Sequence, residues 1–323
     1  MTLVARLPRW MVQAVQAVIG AGLLVLLWHV ADGADALRSL AGADPLWLIA
    51  ALAALSLQTV LSALRWRVTA APLGITLTRR QAIGEYYLAQ IVNQSLPGGM
   101  IGDAGRAVRA RGQAGLLASG QAVVFERLAG QIAMFAIMAL AFGVTLLRPG
   151  GLDWPAWLIA PVAVMITGCL CLPLVILVAG RVPGRVGQGA AGVSRALRLA
   201  LMAPGVWQRQ VGLSLGTALC NLAAFAFCAF AVGVALPLVA VAALVPLILF
   251  TMLVPLTISG WGIRESAAAA LLPIAGATAS GGLATSVAFG LMFIVAVLPG
   301  IVPLLTARQA FAMKPLADHH VDV

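Results

Sequence analysis

Residues 157–179 read WLIAPVAVMITGCLCLPLVILVA and hold no charged side chain. A surface helix of a soluble domain keeps one polar face, whereas here every face is apolar, and about 20 such residues span the hydrocarbon core of a bilayer. The stretch is a membrane crossing. Working outward, similar runs occupy residues 12–31, 45–64, 124–147, 211–234, 236–254 and 284–305, and the shorter run 265–277 fits a half helix or a tilted one. The pattern predicts an all-α polytopic membrane protein of about seven or eight transmembrane helices. The whole chain agrees, with 62% hydrophobic and 9% charged residues among 323, and a mean hydropathy of +1.03. Residues 1–313 read as a single transmembrane helical domain and 314–323 as a short cytoplasmic polar tail.

The net charge of +10 would suggest nucleic acid in a soluble protein. Here the bases lie between apolar runs, so they are read as topology signals and no nucleic-acid partner is expected. Arg65, Arg67, Arg79, Arg80, Arg181, Arg185, Arg195, Arg198, Arg209, Arg308 and Lys314 fall on one side. The other side carries Asp32, Asp35, Arg38, Asp44, Arg148 and Asp153. Both termini are then expected in the cytoplasm. Arg6 and Arg9 before the first run imitate a signal peptide, but no clear cleavage site follows, and a retained helix is expected. Residues 180–203 read as a cytoplasmic loop, with a short interfacial helix as the alternative. Cys169, Cys171, Cys220 and Cys228 lie in apolar runs and are read as small hydrophobes; no metal or cofactor is assigned to them or to His29, His319 and His320. Trp66, Trp154 and Trp157 near run ends read as interfacial anchors, and Trp261 as a side chain against an acyl chain.

Residues 78–94 are too polar for a lipid-exposed crossing. Thr78 and Gln81 fit a capping box, and Ile83, Tyr87 and Ile91 share one face that Glu85, Gln90 and Asn93 do not. The helix is read either as interfacial or as surrounded by protein. It runs into Asn93-Gln-Ser-Leu-Pro97-Gly-Gly-Met-Ile-Gly102-Asp103-Ala-Gly-Arg106. Far downstream, Pro255-Leu-Thr-Ile-Ser-Gly260-Trp-Gly262-Ile-Arg264-Glu265 repeats its skeleton, with glycine five and arginine nine residues after proline. Proline and glycine interrupt helices, and interrupted backbone at membrane depth needs protein or a wet cavity around it. Paired interruptions therefore predict two broken or re-entrant segments, an internal repeat and a shared binding site. Helices restarting near Gly102 and Gly262 would favour an anion, with Arg106 and Arg264 as phosphate donors and Asp103 and Glu265 orienting them. The plain alternative is a pair of ordinary loops. Glu126 and Arg127 are read either as members of this network, Arg127 meeting Asp103 or Glu265, or as interfacial residues.

These motifs, with Phe125-Glu126-Arg127 opening a helix, resemble the transmembrane, flippase-like region of lysylphosphatidylglycerol synthases, which also occurs as stand-alone membrane proteins. The resemblance implies a bacterial cytoplasmic-membrane protein that moves or presents an amphipathic lipid, with Asn93, Pro97, Gly102, Asp103, Arg106, Glu126, Arg127, Gly260, Gly262, Arg264 and Glu265 at the headgroup. Fused members add a soluble domain that transfers an aminoacyl group to phosphatidylglycerol; no such domain follows here, and that activity is not carried over. A lipid flippase or transporter handling a phosphate-bearing lipid is the first reading: a phosphatidylglycerol derivative, a polyprenyl-linked or a hopanoid-type lipid. The alternatives are a membrane-embedded lipid-modifying transferase and a scaffold of a lipid-synthesis complex. Partners are thus an anionic membrane lipid and either a second copy of the chain or a lipid-biosynthesis enzyme.

Overall fold

The computed structural model describes residues 9–96, 100–147, 152–254 and 256–303. Among these residues all regular structure is helical: α1 (Arg9–Val30), α2 (Gly33–Ala41), α3 (Pro45–Ala70), α4 (Arg79–Ser95), α5 (Ile101–Leu147), α6 (Ala156–Ala179), α7 (Arg185–Met202), α8 (Trp207–Ala231), α9 (Leu238–Phe250), α10 (Ile263–Leu271) and α11 (Ala279–Val297). Among the described residues five stretches are long and apolar enough to cross a bilayer: Pro45–Leu73, Ile101–Leu147, Ala156–Ala179, Trp207–Ala231 and Ala279–Pro303. Ala14–Val30 and Gly33–Ala41, bent by 94°, make a sixth if counted as one broken span. Pro97, Pro255 and the 314–323 tail lie outside the described residues.

The run 236–254, expected as a full crossing, is a 13-residue helix followed by the 3-10 turn Thr251–Leu253. Its apolarity has another origin. Ala240, Val241 and every residue from Ala243 to Ile248 are buried in protein, so the run reads as hydrophobic because it is core. The 265–277 run is likewise short: α10 has nine residues and ends in the 3-10 turn Leu272–Ala275. By contrast α6 buries little beyond Val162 and Ile166 and leaves Trp157, Val164, Leu174 and Val175 exposed, as a lipid-facing helix does.

α5 is not one rod. Gly115 has φ 82° and ψ 164°, outside helical space and in a region open to glycine. Arg127 pairs with Asp103, 24 residues earlier, a separation of about 36 Å on a straight helix. The two arms of α5 are therefore folded back on one another about Gly115. α3 and α8 run antiparallel: Gln210, near the start of α8, bonds Thr69, while Trp47 packs on Phe227 and Phe230 near its end. α10 and α11 approach at backbone distance, since a Cβ on Gly282 would stand 2.5 Å from the Ala268 carbonyl oxygen. Small residues permit such close approach where lipid supplies no hydrophobic drive.

α4 has the expected capping box, Thr78 accepting from the Gln81 amide and Gln81 accepting from the Thr78 amide. The face that Ile83, Tyr87 and Ile91 share is not the most buried one, however. Ala82, Tyr86, Leu88, Ala89, Gln90 and Asn93 are buried, while Ile83, Tyr87 and Ile91, like Glu85, are only partly so. With lipid as solvent, polar side chains turn inward, where they find partners. Residues 180–203, expected as a loop with a short interfacial helix as the alternative, include the 18-residue α7, which buries Leu197 and Ala200 near Phe125 and leaves Arg195 and Arg198 exposed.

Candidate functional site

α3 carries Gln58, Ser62, Arg65 and Thr69 at helical spacing, and all four are buried. Such a stripe on an otherwise apolar helix faces protein. Arg65 donates through Nε and Nη2 to Glu126 Oε1 at 3.0 and 2.5 Å, and the Tyr86 hydroxyl lies 3.3 Å from the same oxygen. Reading Arg65 as a loop charge and Trp66 as an interfacial anchor is thereby corrected. Both are buried at the end of α3, and Trp66 stacks under the Arg106 guanidinium at 4.7 Å.

Arg106 is fully buried between the Trp66 and Tyr86 rings, 4.4 Å from the latter. Its Nη2 reaches Asp103 Oδ1 at 2.6 Å and Glu126 Oε2 at 3.4 Å. Arg127 pairs with Asp103 Oδ2 from the other arm of α5. Asn93 joins the break between α4 and α5 by donating to Asp103 Oδ2 at 3.1 Å and accepting from the Gly102 amide at 2.7 Å. Gly102 has no alternative here, because a Cβ would fall 2.0 Å from the Ala89 carbonyl oxygen. The Asp103, Arg106, Glu126, Arg127 and Asn93 set predicted from the sequence is thus one network, with Arg65 and Tyr86 added.

The downstream segment builds a smaller copy. Glu265 Oε2 accepts from the Gly262 amide at 2.7 Å, and Oε1 accepts from Arg264 Nη2 at 2.5 Å. Arg264 is also held by Ser286 and lies over Trp261, 5.1 Å away, which places Trp261 on a guanidinium. The irregular backbone here includes Ser259 at φ 52°, Gly260 at φ 77° and Gly262 at φ 87°. Gly290 leaves room for Arg264, since a Cβ there would stand 2.2 Å from Nη2. In both segments an amide at the start of the restarting helix, that of Gly102 and that of Gly262, is therefore already bonded inside the protein, to Asn93 and to Glu265.

A cavity of about 220 Å³ lies between α3, α4, α5, α8, α9 and α11. Asn93 and Gln94 reach it from one interrupted segment and Met252, Leu253 and Ser259 from the other. The arginines in its wall are Arg65 and Arg127, with Gln58, Gln90, Gln131 and Asn221 as neutral polar groups and Phe250 and Phe293 as apolar ones. Arg106 and Arg264 lie behind the wall and hold the carboxylates. Arg65, Tyr86, Gln58, Gln90, Gln131 and Asn221 are among the residues that sequence reasoning missed. The helical spacing of Gln58, Ser62 and Arg65 was the available signal.

A bundle of apolar helices, broken in two places around a polar, arginine-walled cavity, defines a multi-pass membrane protein with an internal polar site. The chain belongs to the family of the lysylphosphatidylglycerol synthase TM region, whose model matches residues 13–300 and so takes in both interrupted segments. Its setting is that of a membrane, lipid-related family. No curated protein matches the chain.

Proposed function

We propose that the protein is a lipid flippase or transporter of the bacterial cytoplasmic membrane, with both termini in the cytoplasm, and that its central cavity receives a phosphate-bearing headgroup. One observation carries the reading: among the described residues, the guanidiniums of Arg65, Arg106 and Arg127 share the carboxylates of Asp103 and Glu126. One positive charge stays unmatched beside the cavity, and a charge removed from water calls for a counter-ion. Arg65 Nη1, Arg106 Nε and Nη1, and Arg127 Nε are buried donors with no hydrogen-bond partner among the described residues, and Arg65 and Arg127 belong to the cavity wall. A lipid phosphate supplies both the charge and the acceptor oxygens. Asn93 and Arg127 then face the headgroup, while Gly102, Asp103, Arg106 and Glu126 hold that wall in shape. Gly260, Gly262, Arg264 and Glu265 hold the opposite one.

The arrangement favours transport over group transfer. Asp103, Glu126 and Glu265 are each paired with arginine, so their oxygens are already committed inside the protein and are not turned toward a substrate. Reconstitution of the pure protein into liposomes, followed by leaflet-selective labelling of phosphatidylglycerol and polyprenyl phosphate, tests the proposal. Accelerated exchange of at least one of these between leaflets is expected. Unchanged leaflet distributions, or a chemically altered lipid, would refute it.

A further inference from the structure

Arg67, Arg79 and Arg209 line an open groove of about 550 Å³ on the outside of the bundle, over a floor that includes Leu64, Val68 and Leu213. It has none of the central cavity's lining residues. Arg67 lies in the last turn of α3, Arg79 opens α4, and Arg209 lies in the first turn of α8. Three helix ends thus bring their cations to one level; Leu64 and Leu213 lie about one turn deeper within α3 and α8, and Val68 stands next to Arg67. Arg67 is anchored by Nε, which donates to the Leu77 carbonyl at 2.7 Å. Arg79 and Arg209 are exposed and form no ion pair among the described residues, and no carboxylate lines the groove.

We infer that this groove is a second, non-transport lipid site that binds an anionic phospholipid, its phosphate among the arginines and an acyl chain along the floor. A basic pocket between spanning helices at the interface suits an anionic headgroup. The apolar floor selects a lipid over a free anion, because a soluble phosphate gains nothing from Leu64, Val68 and Leu213. The inference does not depend on transport. It gives Arg79 and Arg209 a role beyond setting topology, for which lone charges suffice.

Titration of the purified protein in neutral detergent with dioleoylphosphatidylglycerol or dioleoylphosphatidylcholine, with retained lipids counted by native mass spectrometry, tests it. The unaltered protein and Arg80→Gln, whose charge lies outside the groove, should retain phosphatidylglycerol in preference to phosphatidylcholine. The double variant Arg79→Gln/Arg209→Gln should retain one phosphatidylglycerol fewer, with binding weakened roughly 30-fold, from about 1 kcal/mol for each arginine. If the double variant aggregates, either single variant should show about a 5-fold loss on the same scale. Arg127→Gln, in the central cavity, should leave the groove lipid in place, so this site and the transport site stand or fall separately. Undiminished phosphatidylglycerol retention by the arginine variants would overturn the inference, as would displacement of the lipid by inorganic phosphate.

Discussion

Glu126 is the carboxylate on which the buried network turns, and Glu126→Gln is the substitution that probes it most sharply. The side chain is fully buried and accepts from Arg65 Nε and Nη2, Tyr86 and Arg106 Nη2. The amide keeps one acceptor oxygen but turns an NH2 group toward either Arg65 or Arg106, and the unmatched positive charge rises from one to two. Hydrogen bonds to charged groups contribute about 1.5–3 kcal/mol each, and breaking a buried pair from one side costs about 3–5 kcal/mol. A loss in that range is expected in reversible unfolding by SDS in mixed micelles. Adding Arg65→Gln returns the net charge to its starting value and leaves two amides that can bond each other, since neutral replacement of a whole buried pair is often nearly neutral. The double variant should therefore recover to within about 2 kcal/mol of the unaltered protein, giving a strongly non-additive cycle. A Glu126→Gln cost below about 1 kcal/mol, or additive single costs, would refute a coupled buried network.

Three other outcomes follow. Gly130→Ala places a Cβ 2.7 Å from Arg65 Nη1 and should tilt that guanidinium off Glu126; overpacking of this kind costs about 1–3 kcal/mol, readable in the same unfolding assay, and Gly212→Ala, where a Cβ has open space, should be silent. Arg106→Lys and Arg264→Lys keep the charge but lose the planar fork that meets two acceptors at once, so leaflet exchange should fall in both while membrane levels hold; exchange at the unaltered rate would show that charge alone suffices. In a background without the native cysteines, Ala190→Cys on α7 should react with an impermeant maleimide only from the cytoplasmic side, and labelling from the periplasm would reverse the topology.

The interrupted segments were legible because Asn93, Asp103 and Arg106 are polar residues beside Pro97 and glycines in a chain whose solvent is lipid, and such residues need a partner there. Their pairing with Arg127 was one of the readings open from sequence, and the structure selects Asp103 over Glu265. Arg65 was hidden by a sufficient simpler explanation: it stands next to Trp66 and Arg67 at the end of an apolar run, where positive-inside topology accounts for any arginine. The spacing from Gln58 and Ser62 carried the contrary signal. The reversal of α5 at Gly115 was not legible, since glycines inside a helical pattern are commonly tolerated, and it takes the Asp103–Arg127 and Arg106–Glu126 pairs to reveal the fold-back. On α4 Ile83, Tyr87 and Ile91 were legible as a face, but which face turns inward depends on the solvent, and with lipid outside Gln90 and Asn93 are buried beside Ala82, Tyr86, Leu88 and Ala89.

The central claim, that an unmatched positive charge at the cavity wall receives a lipid phosphate, meets its most direct test in Arg127→Gln. Arg127 is the least buried arginine of the network, with a side chain 33% exposed, so its loss removes the unmatched charge at the smallest structural cost. The measurement is the initial rate of phosphatidylglycerol or polyprenyl phosphate exchange between leaflets, in proteoliposomes matched for inserted protein and unfolding midpoint. A rate reduced to that of protein-free liposomes is the predicted result, and exchange at the unaltered protein's rate would contradict the account.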